Sequence, residues 1–146
     1  ADGLCVALVD PANPWCLLEG DYGGGLGFNS KPGSLVGIGL DSWGNFGAGA
    51  HHVVVKAGER HGFSLIGACG CDVLGTKDLK VKFDLDDDKA NVQVKLDGDK
   101  VIDECVIEGI HLPDAMALVF TASTGACNNF HGVWDIKIKE EFDWDD

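Results

Sequence analysis

LVGIGLDSWGNFGAGAHHVVVKAG, residues 35–58, sets two apolar, β-prone runs on either side of a short loop. The loop carries Asp41, Trp43 and Asn45 at alternate positions, followed by the pair His51 and His52. In an extended segment alternate residues project to one side, so a carboxylate, an indole and a carboxamide would share a face. A hard cation takes oxygen ligands. Asp41 offers a carboxylate, Asn45 an amide oxygen, and the residue between them a backbone carbonyl. The Trp43 indole would then lie against the apolar face of a sugar, and the Asn45 amide would donate to a sugar hydroxyl. The same residues have an ordinary structural reading: Trp43 in the core, Asp41 capping a turn, Asn45 favouring left-handed backbone. The loop by itself leaves both open.

The chain around this stretch reads as strands. LKVKFDL (79–85) alternates, with Leu79, Val81, Phe83 and Leu85 on one face, and NVQVKLD (91–97) repeats the pattern. An Asp-Gly at positions 97–98 then leads into KVIDECVI (100–107), a strong hairpin signal. GVWDIKIK (132–139) alternates too. LCVALV, SLVGIGL, HHVVVKA and AMALVFTAS are more uniformly apolar, as strands covered on both faces are. Helical periodicity is nearly absent, and 21 glycines with 4 prolines punctuate the runs. These features predict an all-β, antiparallel sandwich spanning residues 1–139, with an acidic tail at 140–146. DLDDDKAN (84–91) opens like an EF-hand loop, but it lacks the sixth-position Gly and has Lys95 where the bidentate Glu belongs. It reads as a solvated turn.

The totals bound the function. The chain has 146 residues, enough for one domain with a real core, and a formal charge of −13. That charge argues against nucleic acid and against anionic membrane surfaces. No apolar run approaches a membrane span, so no membrane insertion is expected. The opening ADGLCVALVD, inside a strand-like segment, is what a processed or truncated chain would show. Six cysteines fit no zinc pattern; their even number favours disulfides and an oxidising compartment, with buried free thiols as the alternative. Cys5 with Cys16 and Cys105 with Cys127 are the pairings considered, among 15 that six cysteines allow.

Five stretches in chain order resemble the L-type, legume-like lectins of the concanavalin A-like lectin/glucanase superfamily: ADGLCVALVDP, DYGGGLGF, GLDSWGNFG, HHVVVKA and LVFTASTGACNNFHGVWDIKI. The resemblance runs nearly the full chain and implies a concanavalin A-like jelly roll lacking its first strands. It implies carbohydrate contacts from Asp2, the backbone of Gly24 and Gly25, Trp43 and Asn45. It also implies a cis Ala1–Asp2 bond and calcium held by Asp41, the Trp43 carbonyl and Asn45, with His51 as a candidate metal ligand. Two departures bear on that metal. Gly39 stands where the family has a metal-binding Glu, and FGAGA (46–50) lacks the family's second loop Asp. One carboxylate in place of three does not support a two-metal site, and leaves calcium as a conditional cofactor at a weak site.

Three functions follow as expectations. The first is a noncatalytic glycan-binding module, extracellular or at the cell surface. The second is a structural or adhesive module of a larger extracellular assembly, completed by other segments or chains. The third, a glucanase, is disfavoured, because glycosidases need two carboxylates flanking the scissile bond and GIGLDSWG supplies Asp41 alone. The remaining histidines have no Ser or Cys partner at a telling spacing, so no catalytic residue is expected.

Overall fold

The β-prone runs pair as strands because each offers an apolar face every second residue, and a sheet buries such a face only against another layer. A computed structural model describes residues 2–125 and 129–140. It contains β1 (Gly3–Val9), β2 (Ser34–Asp41), β3 (His52–Ala57), β4 (Leu65–Gly70), β5 (Leu79–Asp86), β6 (Lys89–Leu96), β7 (Asp99–Glu108) and β8 (Ala117–Ser123). One sheet has the order β4-β3-β2-β1-β8 and the other β5-β6-β7. All the pairings are antiparallel. The fold is thus the antiparallel β-sandwich that the sequence predicts. No described helix is long and apolar enough to cross a membrane.

The main core lies between the sheets. Val36, Ile38, Val53 and Val55 of the larger sheet meet Val92, Val94, Leu96, Ile102 and Ile107 of the smaller. Both expected turns form. Leu96 pairs with Asp99, and Asp97 and Gly98 take φ of 50° and 85° between them, the left-handed geometry of a type I′ hairpin. Asp86 pairs with Lys89, so the acidic stretch is an exposed two-residue turn.

A second apolar cluster covers the outer face of the larger sheet: Cys5, Leu26, Phe28, Phe46 and Val54. Its shape comes from two glycines on β2. A Cβ at Gly37 would strike the Phe28 ring, and one at Gly39 would sit 2.6 Å from Cε2 of Phe46. The aromatic rings fill those hollows, which explains why β2 and β3 read as apolar on both faces. The stretch before Phe28 is tied down by Lys31, whose buried ammonium donates to the carbonyls of Cys16 and Leu18 at 2.7 Å each.

Three expectations need correction or limits. Disulfides are not found among the described residues: Cys5, Cys16, Cys69, Cys71 and Cys105 are free thiols, and Cys127 lies outside those residues. Cys5 is fully buried on β1 within the outer cluster of Phe28 and Phe46, while Cys16 sits part-exposed on the loop between β1 and β2. That burial pushes its pKa up to about 12. Residues 132–139 alternate as expected but pair with neither sheet, leaving Trp134, Ile136 and Ile138 exposed. Alternation marks a face; it does not provide a partner edge. Of the acidic tail, residues 141–146 lie outside the described part.

Candidate functional site

The site is assembled where β1 begins, β2 ends and β8 ends. Gly3 of β1 pairs with Asp41 on one side and with Ser123 on the other. Asp2, one residue earlier, continues this weave: its N–H donates to the Ser123 carbonyl at 2.8 Å. Its own carbonyl accepts from the N–H and the Oγ of Ser42, each at 3.0 Å. The backbone of Asp2 is therefore fixed from both flanks, and the residue is 3% exposed.

The glycine-rich loop folds over this point. Gly23–Gly25 form a single 3-10 turn. The Gly23 N–H donates to Thr124 at 3.2 Å, and the Gly23 carbonyl accepts from the Ser123 hydroxyl. The Asp2 carboxylate packs against glycine on two sides: a Cβ at Gly23 would lie 3.3 Å from Oδ2, and one at Gly125 would lie 3.0 Å away. Gly23 also has φ of 60°, so the missing side chain serves both conformation and close approach. Gly24 abuts Asn45 so closely that a Cβ there would overlap the Asn45 Cβ. Asp2, Gly23, Gly24 and Asn45 thus form one continuous chain of contacts across three sequence-distant segments.

Trp43 and Asn45 stand on the loop between β2 and β3, both exposed, with Trp43 at 51%. Asp41 is the opposite case. It is fully buried, with Oδ1 accepting the Gly44 N–H at 2.8 Å and Oδ2 accepting the Phe46 N–H at 2.9 Å. The carboxylate closes the loop on itself, the capping role that the sequence left open beside the metal role. Gly25 is buried, and its N–H donates to the Tyr22 carbonyl at 3.3 Å, so it supports the turn from within. His51 lies towards β4: its side chain is exposed and its carbonyl accepts from Cys71 N–H at 2.8 Å.

The donors do not fit calcium. The ion needs six to eight oxygens at about 2.3–2.6 Å. Asp41 is fully buried with each oxygen already accepting an N–H, and Phe46 fills the hollow at Gly39, so few oxygens can gather there. Among the described residues no group of three or more His, Cys, Asp or Glu is gathered for a metal.

Sequence reasoning missed several contributors. Ser42 fixes Asp2 but was only a spacer in the loop pattern. His131 lines a cleft with Glu19, Tyr22, Ser123 and Thr124, beside the Gly23 turn. Burial lowers its pKa, while the Asp2 charge pulls it the other way. Lys56 is buried under the loop, with its Nζ 4.5 Å from the Phe46 ring centroid and 2.7 Å from Asn29 Oδ1. Burial lowers its pKa, and Cys5 and Asp41 raise it. Ala1 lies outside the described residues, and with it the cis bond the resemblance implies.

The arrangement presents an exposed indole and carboxamide beside a buried, backbone-fixed carboxylate and a glycine turn. It suits recognition of a polar ligand with an apolar face. No family model, no curated protein and no solved structure matches this chain.

Proposed function

We propose that this chain is a noncatalytic carbohydrate-binding module, similar to the L-type lectins and acting outside the cell or at its surface. The observation that carries the reading is the contact chain Asp2–Gly23–Gly24–Asn45, with Trp43 exposed beside it. A sugar needs hydrogen-bonding groups and an aromatic platform; the exposed Asn45 and Trp43 offer one of each, with Asp2 behind the Gly23 turn at 3% exposure. A noncatalytic role accords with the carboxylates. Asp41 is fully buried and caps its own loop through two backbone N–H groups, which favours a structural role over one in a glycosidase pair.

A glycan array screened with the full chain tests this, followed by calorimetry of the hits on wild type and Asp2→Asn. Binding by wild type that Asp2→Asn loses while still folding supports the reading. A folded wild type that captures no glycan ends it.

A second reading, an adhesive module completed by another chain, draws on a different observation. The smaller sheet has three strands against five, and the alternating segment 132–139 leaves its apolar residues in solvent. Concentration-dependent association that a Trp134→Glu, Ile136→Glu variant abolishes would favour it. A chain that stays monomeric at high concentration would remove it.

A further inference from the structure

We propose that the loop between β2 and β3 is a cation-independent turn, ordered by Asp41 from within and by the buried Lys56 ammonium from below, so that the rim takes its glycan without calcium. The functional half of this inference rests on the carbohydrate-binding reading; the structural half does not.

Four observations converge. The Asp41 carboxylate is engaged at both oxygens by N–H groups of its own loop. Each such charge-assisted bond is among the stronger ones a protein makes, and the partners lie three and five residues along, so the loop closes as one unit. Phe46, whose N–H is one of those donors, is anchored by its ring in the hollow over Gly39 and against Phe28, 6.1 Å between centroids. Freeing Asp41 for a metal would strand a buried N–H and lift that ring. Lys56 lies over the Phe46 ring, its ammonium 4.5 Å from the centroid and hydrogen-bonded to Asn29. It brings a positive charge to the ring that anchors the loop Asp41 closes, the electrostatic service a bound ion would give. Finally, the residues following Phe46 are Gly, Ala, Gly and Ala, which offer no further side-chain oxygen.

The loop can be watched directly by amide hydrogen exchange of the full chain in about 5 mM calcium chloride and in EDTA, beside thermal melts in both. The Gly44 and Phe46 amides are expected to be protected equally in the two conditions, with one melting midpoint. A calcium site filled at about a hundred times its dissociation constant would raise the midpoint by several degrees. Such a rise, or protection of these amides only with calcium, overturns the inference. Lys56→Met is expected to speed exchange at Gly44 and Phe46 by about tenfold, the order of one hydrogen bond's worth. Unchanged exchange removes Lys56 from the account. If Lys56→Met does not fold, Lys56→Gln takes its place and is read by the same two outcomes. Glycan capture repeated in EDTA separates the two halves. Capture that EDTA abolishes overturns the inference. Absence of capture in both conditions refutes the carbohydrate reading, while exchange and melting still decide the cation question.

Discussion

The carbonyl of Asp2 accepts two hydrogen bonds from Ser42, one from its N–H and one from its Oγ, each 3.0 Å long. Two segments some forty residues apart in sequence are thereby stapled at the point where the candidate site begins. Ser42→Ala keeps the backbone bond and removes the hydroxyl one. The expected cost is about 1 kcal/mol, seen as a fall of a few degrees in the melting midpoint. Glycan affinity should fall as well, since the Asp2 backbone loses one of its restraints. Calorimetric melts and binding isotherms on the same preparation check both.

Gly24 and Gly39 should respond differently to alanine. At Gly39 the new methyl meets Phe46 in the outer cluster, an overpacking expected to cost about 1–3 kcal/mol in denaturant unfolding. At Gly24 it meets the Cβ and backbone of Asn45, so the loop itself must shift. Gly24→Ala should therefore lose stability too, and also weaken glycan binding because it displaces Asn45, whereas Gly39→Ala should leave the affinity of the folded fraction unchanged. Equal losses of affinity in the two variants would contradict this assignment of inside and rim.

The burial of Cys5 sets an alkaline limit. Its thiol is pushed up to about 12 in the folded chain from an ordinary value of 9.0. A raised folded pKa favours the protonated native form. Its contribution is therefore complete below about pH 9 and is lost as pH rises towards 12. The loss is of the order of 4 kcal/mol across that window, at about 1.4 kcal/mol per pH unit. Lys31 and Lys56, both lowered by burial, act in the opposite sense at alkaline pH, so the Cys5 part is read by difference. Wild type minus Cys5→Ala, followed by urea unfolding from pH 8 to 12, should converge steadily above pH 9. A constant difference would contradict the burial of this thiol.

Lys31 holds the stretch before Phe28 through the carbonyls of Cys16 and Leu18. Lys31→Met leaves those carbonyls without that donor, at an expected cost of about 1–3 kcal/mol. Trp15, Leu17 and Leu18 are already exposed there. Chymotrypsin should therefore cut this stretch several times faster in the variant, as mass spectrometry of the early fragments would record.

The sandwich was legible because the strands carry their faces in sequence. LKVKFDL and NVQVKLD alternate, and Asp97-Gly98 names its own turn. LIGACG carries no such signal: β4 is a short edge strand, half-exposed and interrupted by glycine, so neither alternation nor a solid apolar run marks it. The buried lysines were illegible for a related reason. In HVVVKA a lysine reads as the solvent side of a strand, and only the aromatic cover over Gly37 and Gly39 turns that side inward. The site was legible only in part. The alternate spacing of Asp41, Trp43 and Asn45 grouped them on one face, yet the fold turns Asp41 inward and leaves the other two outside. No local spacing encodes the approach of Asp2 to Gly23 or of Gly24 to Asn45, because each joins segments more than twenty residues apart.

The central claim is that one rim, built from Asp2, the Gly23 turn and the Trp43–Asn45 loop, receives a glycan. Amide chemical-shift mapping during titration with an array-positive glycan reads this most directly. Perturbations should concentrate at Gly23, Gly24, Ser42, Trp43, Asn45 and Ser123, and disappear in Trp43→Ala. Shifts confined to β5, β6 and β7, or a titration that moves no amide, would contradict it.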